Sequence, residues 1–309
     1  MGRAMFNKVQ NLKNKKVFIY CPIDAIDKVK QIVSEHELEV VFNSFEKTLK
    51  HKVFVHYELG RLNQEQKHYL VNATERGAWV EPLVSFLDNQ LGYTEVKLLH
   101  SSYFLHQKAF GILSTKRTQI IKRIIDLIGS TLLLLLTLPI TIITAIAIKL
   151  ESSGPVFYSQ SRTGLFNNEF KVLKFRSMSE DAEASGAQWA KQNDSRVTRV
   201  GKFIRKTRID ELPQLINVMK GDMSLVGPRP EREIFIKDLE KVIPYYRFRH
   251  AVKPGVTGLA QVSYPYGASV EDAIWKHKYD IHYIKHHKTL NDIIILLRTV
   301  KVVLFGMGR

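Results

Sequence analysis

Apolar positions follow three different patterns along this chain. In the first stretch, short apolar runs alternate with segments of helical period. Lys16–Tyr20, Glu39–Phe42 and Lys52–Tyr57 predict strands, and Asp24–Ser34 and Asn63–Arg76 predict helices. That alternation predicts a small α/β unit inside residues 1–114. The second pattern is one unbroken apolar run, Leu127–Ile148, without a charge and with Pro139 near its middle. The third begins after Lys149. A turn at Ser153-Gly154-Pro155 leads to a strand over Val156–Gln160, a second turn over Thr163–Asn168, and a strand over Phe170–Phe175. Glu180–Gln192 is polar and reads as a loop or surface helix. Thr198–Arg208 has a helical pattern, with Arg199, Lys202 and Lys206 on one face. Near the end, Ile293–Leu297 and Val300–Phe305 suit either the core or a membrane interface. Residues 151–309 therefore predict a small mixed α+β domain with amphipathic interfacial helices.

At ~1.5 Å per residue the central run is long enough to cross a hydrocarbon core of about 30 Å. It starts after more than a hundred residues and has no small-residue cleavage site, which excludes a signal peptide. Its flanks decide the topology. Lys116, Arg117, Lys122 and Arg123 precede it, and Lys149, Lys171, Lys174 and Arg176 follow. Basic flanks mark the cytoplasmic side, so both ends are expected on that side. Pro139 lacks an amide hydrogen and its ring crowds the preceding turn, which places a bend near the midpoint. Residues 115–150 are accordingly read as a re-entrant membrane hairpin, the alternative being a kinked single span. Ser130, Thr131, Thr137, Thr141 and Thr144 offer hydroxyls for the carbonyls freed at such a bend.

Charge narrows the function. A formal charge of +16 calls for acidic partners. Beside a membrane segment, anionic lipid and phosphorylated substrates fit better than nucleic acid, and no zinc-finger, RNA-recognition or helix-turn-helix signature is present. The single Cys21 suits a reducing compartment.

The densest chemical constellation is Arg208-Ile209-Asp210-Glu211-Leu212-Pro213-Gln214. Acidic residues at a helix start are commonly simple caps. Here Arg205, Lys206 and Arg208 stand directly before them, so a phosphate has cations to hold it against a carboxylate. A carboxylate can attack a phosphoryl group once its oxygens are neutralised, and a second can hold magnesium. Further on, the segment Gly221–Pro230 reads as a rigid loop that sets Arg229 between Pro228 and Pro230, which suits bidentate phosphate recognition. Lys253–Gly258 reads as a second rigid loop with a structural role. His277, His282, His286 and His287 fall in one helical stretch. His282 and His286 have metal-pair spacing but no third ligand pattern, which favours a surface or interface face. The N-terminal unit shows no glycine-rich phosphate loop and no catalytic constellation.

Taken in order, Lys122–Asp126, Gly154–Phe157, Lys174–Met178, Asp210–Gln214 and Ser224–Pro230 resemble the bacterial monotopic phosphoglycosyl transferases. These are the polyprenyl-phosphate sugar-1-phosphate transferases that begin capsule, O-antigen and exopolysaccharide assembly. The resemblance implies transfer of a sugar-1-phosphate from a UDP-sugar to polyprenyl (undecaprenyl) phosphate, releasing UMP, with Mg2+ bound at Asp210 and Glu211. It implies Asp210 as nucleophile and Glu211 as its partner, acting through the metal or on the acceptor's proton. Lys174, Arg176 and Arg208 are implied as phosphate ligands, and Arg229 as the contact to the nucleotide end. It implies a monotopic position on the cytoplasmic face of the inner membrane, among its lipids, with self-association and downstream glycosyltransferases as further partners. Where the family's hairpin commonly bends at Ser-Pro, this chain has Leu138-Pro139. Larger members carry several transmembrane helices before the catalytic domain; here the small α/β unit stands in that place. A membrane-anchored, non-catalytic scaffold of polysaccharide assembly is the competing reading.

Overall fold

The structure is a computed structural model that describes residues 16–105 and 110–304, apart from 37, 47–52, 111, 114–115, 180–181, 183–193, 266 and 268. The chain forms two compact units, Met1–His106 and Gln107–Arg309.

In the first unit, β1 (Val17–Tyr20), β2 (Val40–Phe42), β3 (Val53–His56) and β4 (Trp79–Pro82) make a parallel sheet in the order β2-β1-β3-β4. Parallel strands need crossovers, supplied here in part by α1 (Ile26–Ser34) and α2 (Gln64–Glu75). Asn63 begins α2 with a reciprocal capping box to Gln66. Phe18, Tyr20, Phe54, Leu62, Leu70 and Ala73 pack as one core cluster. The strand β4 and α3 (Leu83–Leu91) were absent from the sequence pattern. A shorter helix, α4 (Ser101–Leu105), follows.

The second unit opens with α5 (Lys116–Glu151), whose 36 residues carry the apolar run. It is long and apolar enough to cross a membrane, and Thr131–Ile143 are exposed or half-exposed throughout. Helical backbone continues through Pro139, so the expected break is not a loop between two helices. Thr137 donates its hydroxyl to Leu133 O at 2.7 Å and Thr141 to Leu138 O at 2.7 Å, back-bonding that bends helices and serves carbonyls around the proline. Both ends of α5 are held by the second unit. Arg123 donates to Val218 O at 2.6 Å and Met219 O at 2.8 Å, Lys122 pairs with Asp292 at 2.7 Å, and Asp126 accepts from Ser224 Oγ and Leu225 N at 3.0 Å each. At the far end Ile148 packs with Phe175 and Ile204, and Glu151 accepts from Val200 N.

After α5, β5 (Phe157–Thr163) and β6 (Glu169–Phe175) form an antiparallel pair with Tyr158 opposite Lys174. Then come α6 (Arg199–Lys206), α7 (Gln214–Lys220), β7 (Ser224–Val226), α8 (Glu233–Leu239), β8 (Gly255–Thr257), α9 (Leu259–Ser263), α10 (Val270–Lys285) and α11 (Thr289–Leu304). The two segments read as rigid loops are partly strands. β7 pairs in parallel with β8, and the backbones approach so closely that a Cβ on Gly255 would lie 2.1 Å from Gly227 N. Of Glu180–Gln192, all but Ala182 lies outside the described residues.

Candidate active site

Three short pieces of backbone converge on Glu211. The first is a 3-10 turn, Ile209–Glu211, that follows α6 through Arg208 in the left-handed region at φ 60°. A side-chain-bearing residue held there costs of order 1 kcal/mol or more, and it is seen mainly where surroundings enforce it. The reversal sets Asp210 and Glu211 side by side, each buried, with 8% and 7% exposure. The second piece is β6, which supplies Lys174. The third is the Pro228-Arg229-Pro230 loop leaving β7. That loop is clamped by backbone bonds from Gly227 N to Thr257 O and from Gly255 N to Pro228 O, both 2.9 Å. The loop Lys253–Gly258 thus has the structural role expected of it: it seats the loop that carries Arg229.

Arg229 donates from Nη2 to Glu211 Oε1 at 2.6 Å, while Lys174 Nζ stands 3.5 Å and Arg208 Nη1 3.6 Å from the same oxygen. Burial opposes ionisation of Glu211, but Arg229, Lys174 and Arg208 outweigh it and hold the carboxyl well below the usual range. Asp210 goes the other way. Burial, then the neighbouring Glu211 charge, raises it from 3.8 to about 6 against the pull of Lys174 and Arg229. Among the described residues none donates a hydrogen bond to the Asp210 carboxylate. The pair is therefore asymmetric: Glu211 is fixed and ionised, whereas Asp210 lacks a hydrogen-bond donor among the described residues and is the more basic of the two. Burial lowers Lys174, with Glu211 opposing, whereas Glu211 raises Arg229.

Of the residues expected to bind the substrate, Lys174, Arg208 and Arg229 come together here and Arg176 does not. β6 ends at Phe175, so the strand alternation that would carry Arg176 to the face of Lys174 stops one residue short. Its guanidinium donates instead to the carbonyls of Ser152 and Ser153 and to Ser152 Oγ, closing the turn after α5. His277 and His287 are buried rather than on a surface face, and His287 Nε2 lies 3.2 Å from Asp292.

Sequence reading missed a supporting row behind Arg229. Arg249 donates to Arg229 O at 2.9 Å and is itself held by Asp280 at 2.7 Å and the Tyr246 hydroxyl at 2.6 Å, all buried. A buried arginine almost forty residues from the acid pair has no local signal; only its pairing with Asp280 of α10, beyond β8 and α9, gives it meaning.

Two adjacent carboxylates amid three cations, on a unit built around a helix of membrane-crossing length, decide the family when set beside the comparisons. The sequence profile of the bacterial sugar transferases matches residues 117–306. The chain belongs to that family. Its relatives include a UDP-N-acetylgalactosamine-undecaprenyl-phosphate N-acetylgalactosaminephosphotransferase of Aeromonas hydrophila, 45% identical over 66% of this chain and 48% of the relative. A UDP-glucose:undecaprenyl-phosphate glucose-1-phosphate transferase of Caulobacter vibrioides is 38% identical over 73% of this chain and 86% of its own. One of the same name from Escherichia coli is 42% identical over 59% of this chain and 40% of its own. The chain thus spans about half the length of the Aeromonas relative, and less of the Escherichia one.

Proposed function

We propose that this sugar transferase moves a sugar-1-phosphate from a UDP-sugar to undecaprenyl phosphate in two displacements at Asp210. The observation that carries the proposal is the asymmetric acid pair. Asp210 is buried, accepts no hydrogen bond from the described residues and is poised near neutral pH, while Glu211 gathers Arg229, Lys174 and Arg208 around one oxygen. An unbonded carboxylate keeps its lone pairs for phosphorus. The cations outnumber the carboxylates and would offset the phosphate charge that otherwise repels such an attack. Attack on the sugar-linked phosphorus forms an O–P bond to Asp210, breaks the bond to the bridging oxygen and releases UMP. The acceptor's phosphate oxygen then attacks the aspartyl phosphosugar and frees Asp210. The names of the relatives support the substrates, and the geometry supports the order of steps.

The donor set also suits Mg2+. Carboxylate oxygens are hard ligands, and magnesium is commonly held by one or two of them together with substrate phosphates. Asp210 has its oxygens available, whereas Glu211 Oε1 is already held by Arg229 at 2.6 Å, so Asp210 would be the principal protein ligand and Glu211 would contribute through its other oxygen. Such an ion would neutralise charge on the diphosphate.

The anchoring of α5 supports a re-entrant position on the cytoplasmic face of the inner membrane. Its two ends grip parts of one polar unit that are themselves joined, for Asn217 of α7 accepts from Leu173 N of β6 at 3.0 Å. A straight helix of 36 residues would be about 54 Å long and would carry its ends apart. A bend at Pro139 lets the exposed centre enter lipid while both basic flanks stay on one side. The scaffold reading needs the helix and basic surface but not the acid pair. Loss of UMP release in Asp210→Asn with membrane binding retained would exclude it; unchanged transfer by Asp210→Asn would overturn the assignment of Asp210 as the nucleophile.

A further inference from the structure

Along β5, the strand paired with the one that carries Lys174, lies a cavity of about 330 Å³ that the reaction as described does not use, lined by Tyr158–Arg162 of β5, Glu169, and Arg232–Ile234 at the start of α8. Its size falls at the lower end of small-ligand sites, which run roughly 300–1,000 Å³. It is continuous with the site through one strand face. Residues two apart on a strand share a face, as do residues directly opposite across a pair, so Tyr158, Gln160, Arg162 and Lys174 form one row. The row is wired together: Arg162 Nη2 donates to Gln160 Oε1 at 2.5 Å, and Gln160 Nε2 donates to the Tyr158 hydroxyl at 3.1 Å. At one end Lys174 reaches Glu211; at the other Arg162 Nη1 lies 3.4 Å from Pro230 O, next to Arg229.

We propose that this cavity receives the sugar of the nucleotide sugar, and that Gln160, Arg162 and Glu169 determine which sugar is accepted. The identity of the ligand rests on the reaction proposed above. The lining favours a sugar over the other parts of the substrate. It holds both cations, Arg162 and Arg232, and acids, Glu169 and Glu233, along a hydroxyl-bearing and amide-bearing strand. Hydroxyl groups both donate and accept and use such a mixture, whereas a diphosphate would be repelled by the two acids. A planar base would want a stacking pair, and Tyr158 is the one aromatic ring in the lining. The acids are held in fixed positions, Glu169 by Ser161 Oγ at 2.6 Å and Glu233 by Arg247 at 2.7 Å and Thr163 at 3.0 Å, as discrimination between epimers requires.

The test separates binding from turnover. In the full-length chain carrying Asp210→Asn, affinities are measured by calorimetry for UMP, UDP-glucose, UDP-galactose, UDP-N-acetylglucosamine and UDP-N-acetylgalactosamine. Adding Gln160→Ala or Glu169→Gln should compress the ratio between the tightest and weakest UDP-sugar by about tenfold, the scale of one buried hydrogen bond, while UMP affinity stays within about twofold. Arg162→Gln serves as a third variant, though its bond to Pro230 O also touches the Arg229 loop. An unchanged ratio overturns the sugar assignment. So does a parallel loss of UMP affinity, which would give the cavity to the nucleotide. UMP release by the unsubstituted chain is read separately. Its absence sinks the proposed reaction, while the affinity ratios still decide the cavity.

Discussion

At the scale of single residues, the acid pair divides two jobs between chemically similar groups by surrounding them differently. Glu211 is pinned by cations; Asp210 is buried beside it and accepts no hydrogen bond from the described residues. This has a pH consequence. The folded value of Asp210, about 6, lies above its ordinary 3.8, so the folded chain holds that proton more tightly than the unfolded one. Its contribution to stability is full below about 4 and is lost as pH rises through about 6, the window in which the nucleophile becomes ionised. The rate of acceptor-independent UMP release should therefore rise with pH through about 6 and level off above it, while thermal stability falls slightly across the same window. A rate that declines over that window would refute the nucleophile assignment. Glu211→Gln should slow steady-state transfer by about two to four orders of magnitude, the usual scale for a positioned acid–base group, and a smaller loss would demote Glu211 to a structural role. Asp210, Glu211 and Arg208 stood out in the sequence because opposite charges crowd one motif, and Arg229 because two prolines flank it, whereas Lys174 entered only through the family resemblance. Arg176 misled because a cation's neighbours in sequence do not reveal that it faces the carbonyls of Ser152 and Ser153.

Among elements, α5 has the largest consequences. Its apolar length, basic flanks and proline were all visible in the sequence, since each is a local property. Its anchors were not. Asp126 sits in the sequence as a lone acid before an apolar run, yet in the fold it accepts from Ser224 Oγ and Leu225 N, almost a hundred residues away. Asp126→Ala leaves a buried N–H and hydroxyl without that acceptor and should cost about 1–3 kcal/mol, read as a lowered midpoint in thermal unfolding of the detergent-solubilised protein. The same blindness to distant pairing turned β7 and β8 into loops, and β4 was missed because Trp79–Pro82 follows two apolar residues with Glu81 and Pro82 and shows no strand pattern. The bend proposed at Pro139 is tested by labelling. Lys116→Cys and Pro155→Cys should react with an impermeant thiol reagent from the same side of sealed vesicles; reaction from opposite sides would replace the hairpin with a span.

Across the whole molecule, the family profile begins at residue 117, close to where the second compact unit begins, and every residue of the acid cluster lies in that unit. The N-terminal sheet was legible as α/β from its alternating pattern. A truncated chain beginning at Thr115 should therefore insert in membranes and retain transfer; complete loss of turnover in a folded, inserted truncation would show that the first unit contributes to catalysis. The claim on which the rest depends is the covalent step at Asp210. Incubating the full-length chain with a UDP-sugar labelled in its sugar-linked phosphate, without acceptor, should release one UMP per active site in a burst and leave the label on the peptide containing Asp210; Asp210→Asn should show neither. Labelled protein in Asp210→Asn, or UMP release only when undecaprenyl phosphate is present, would contradict a covalent intermediate and reduce the acid pair to metal binding.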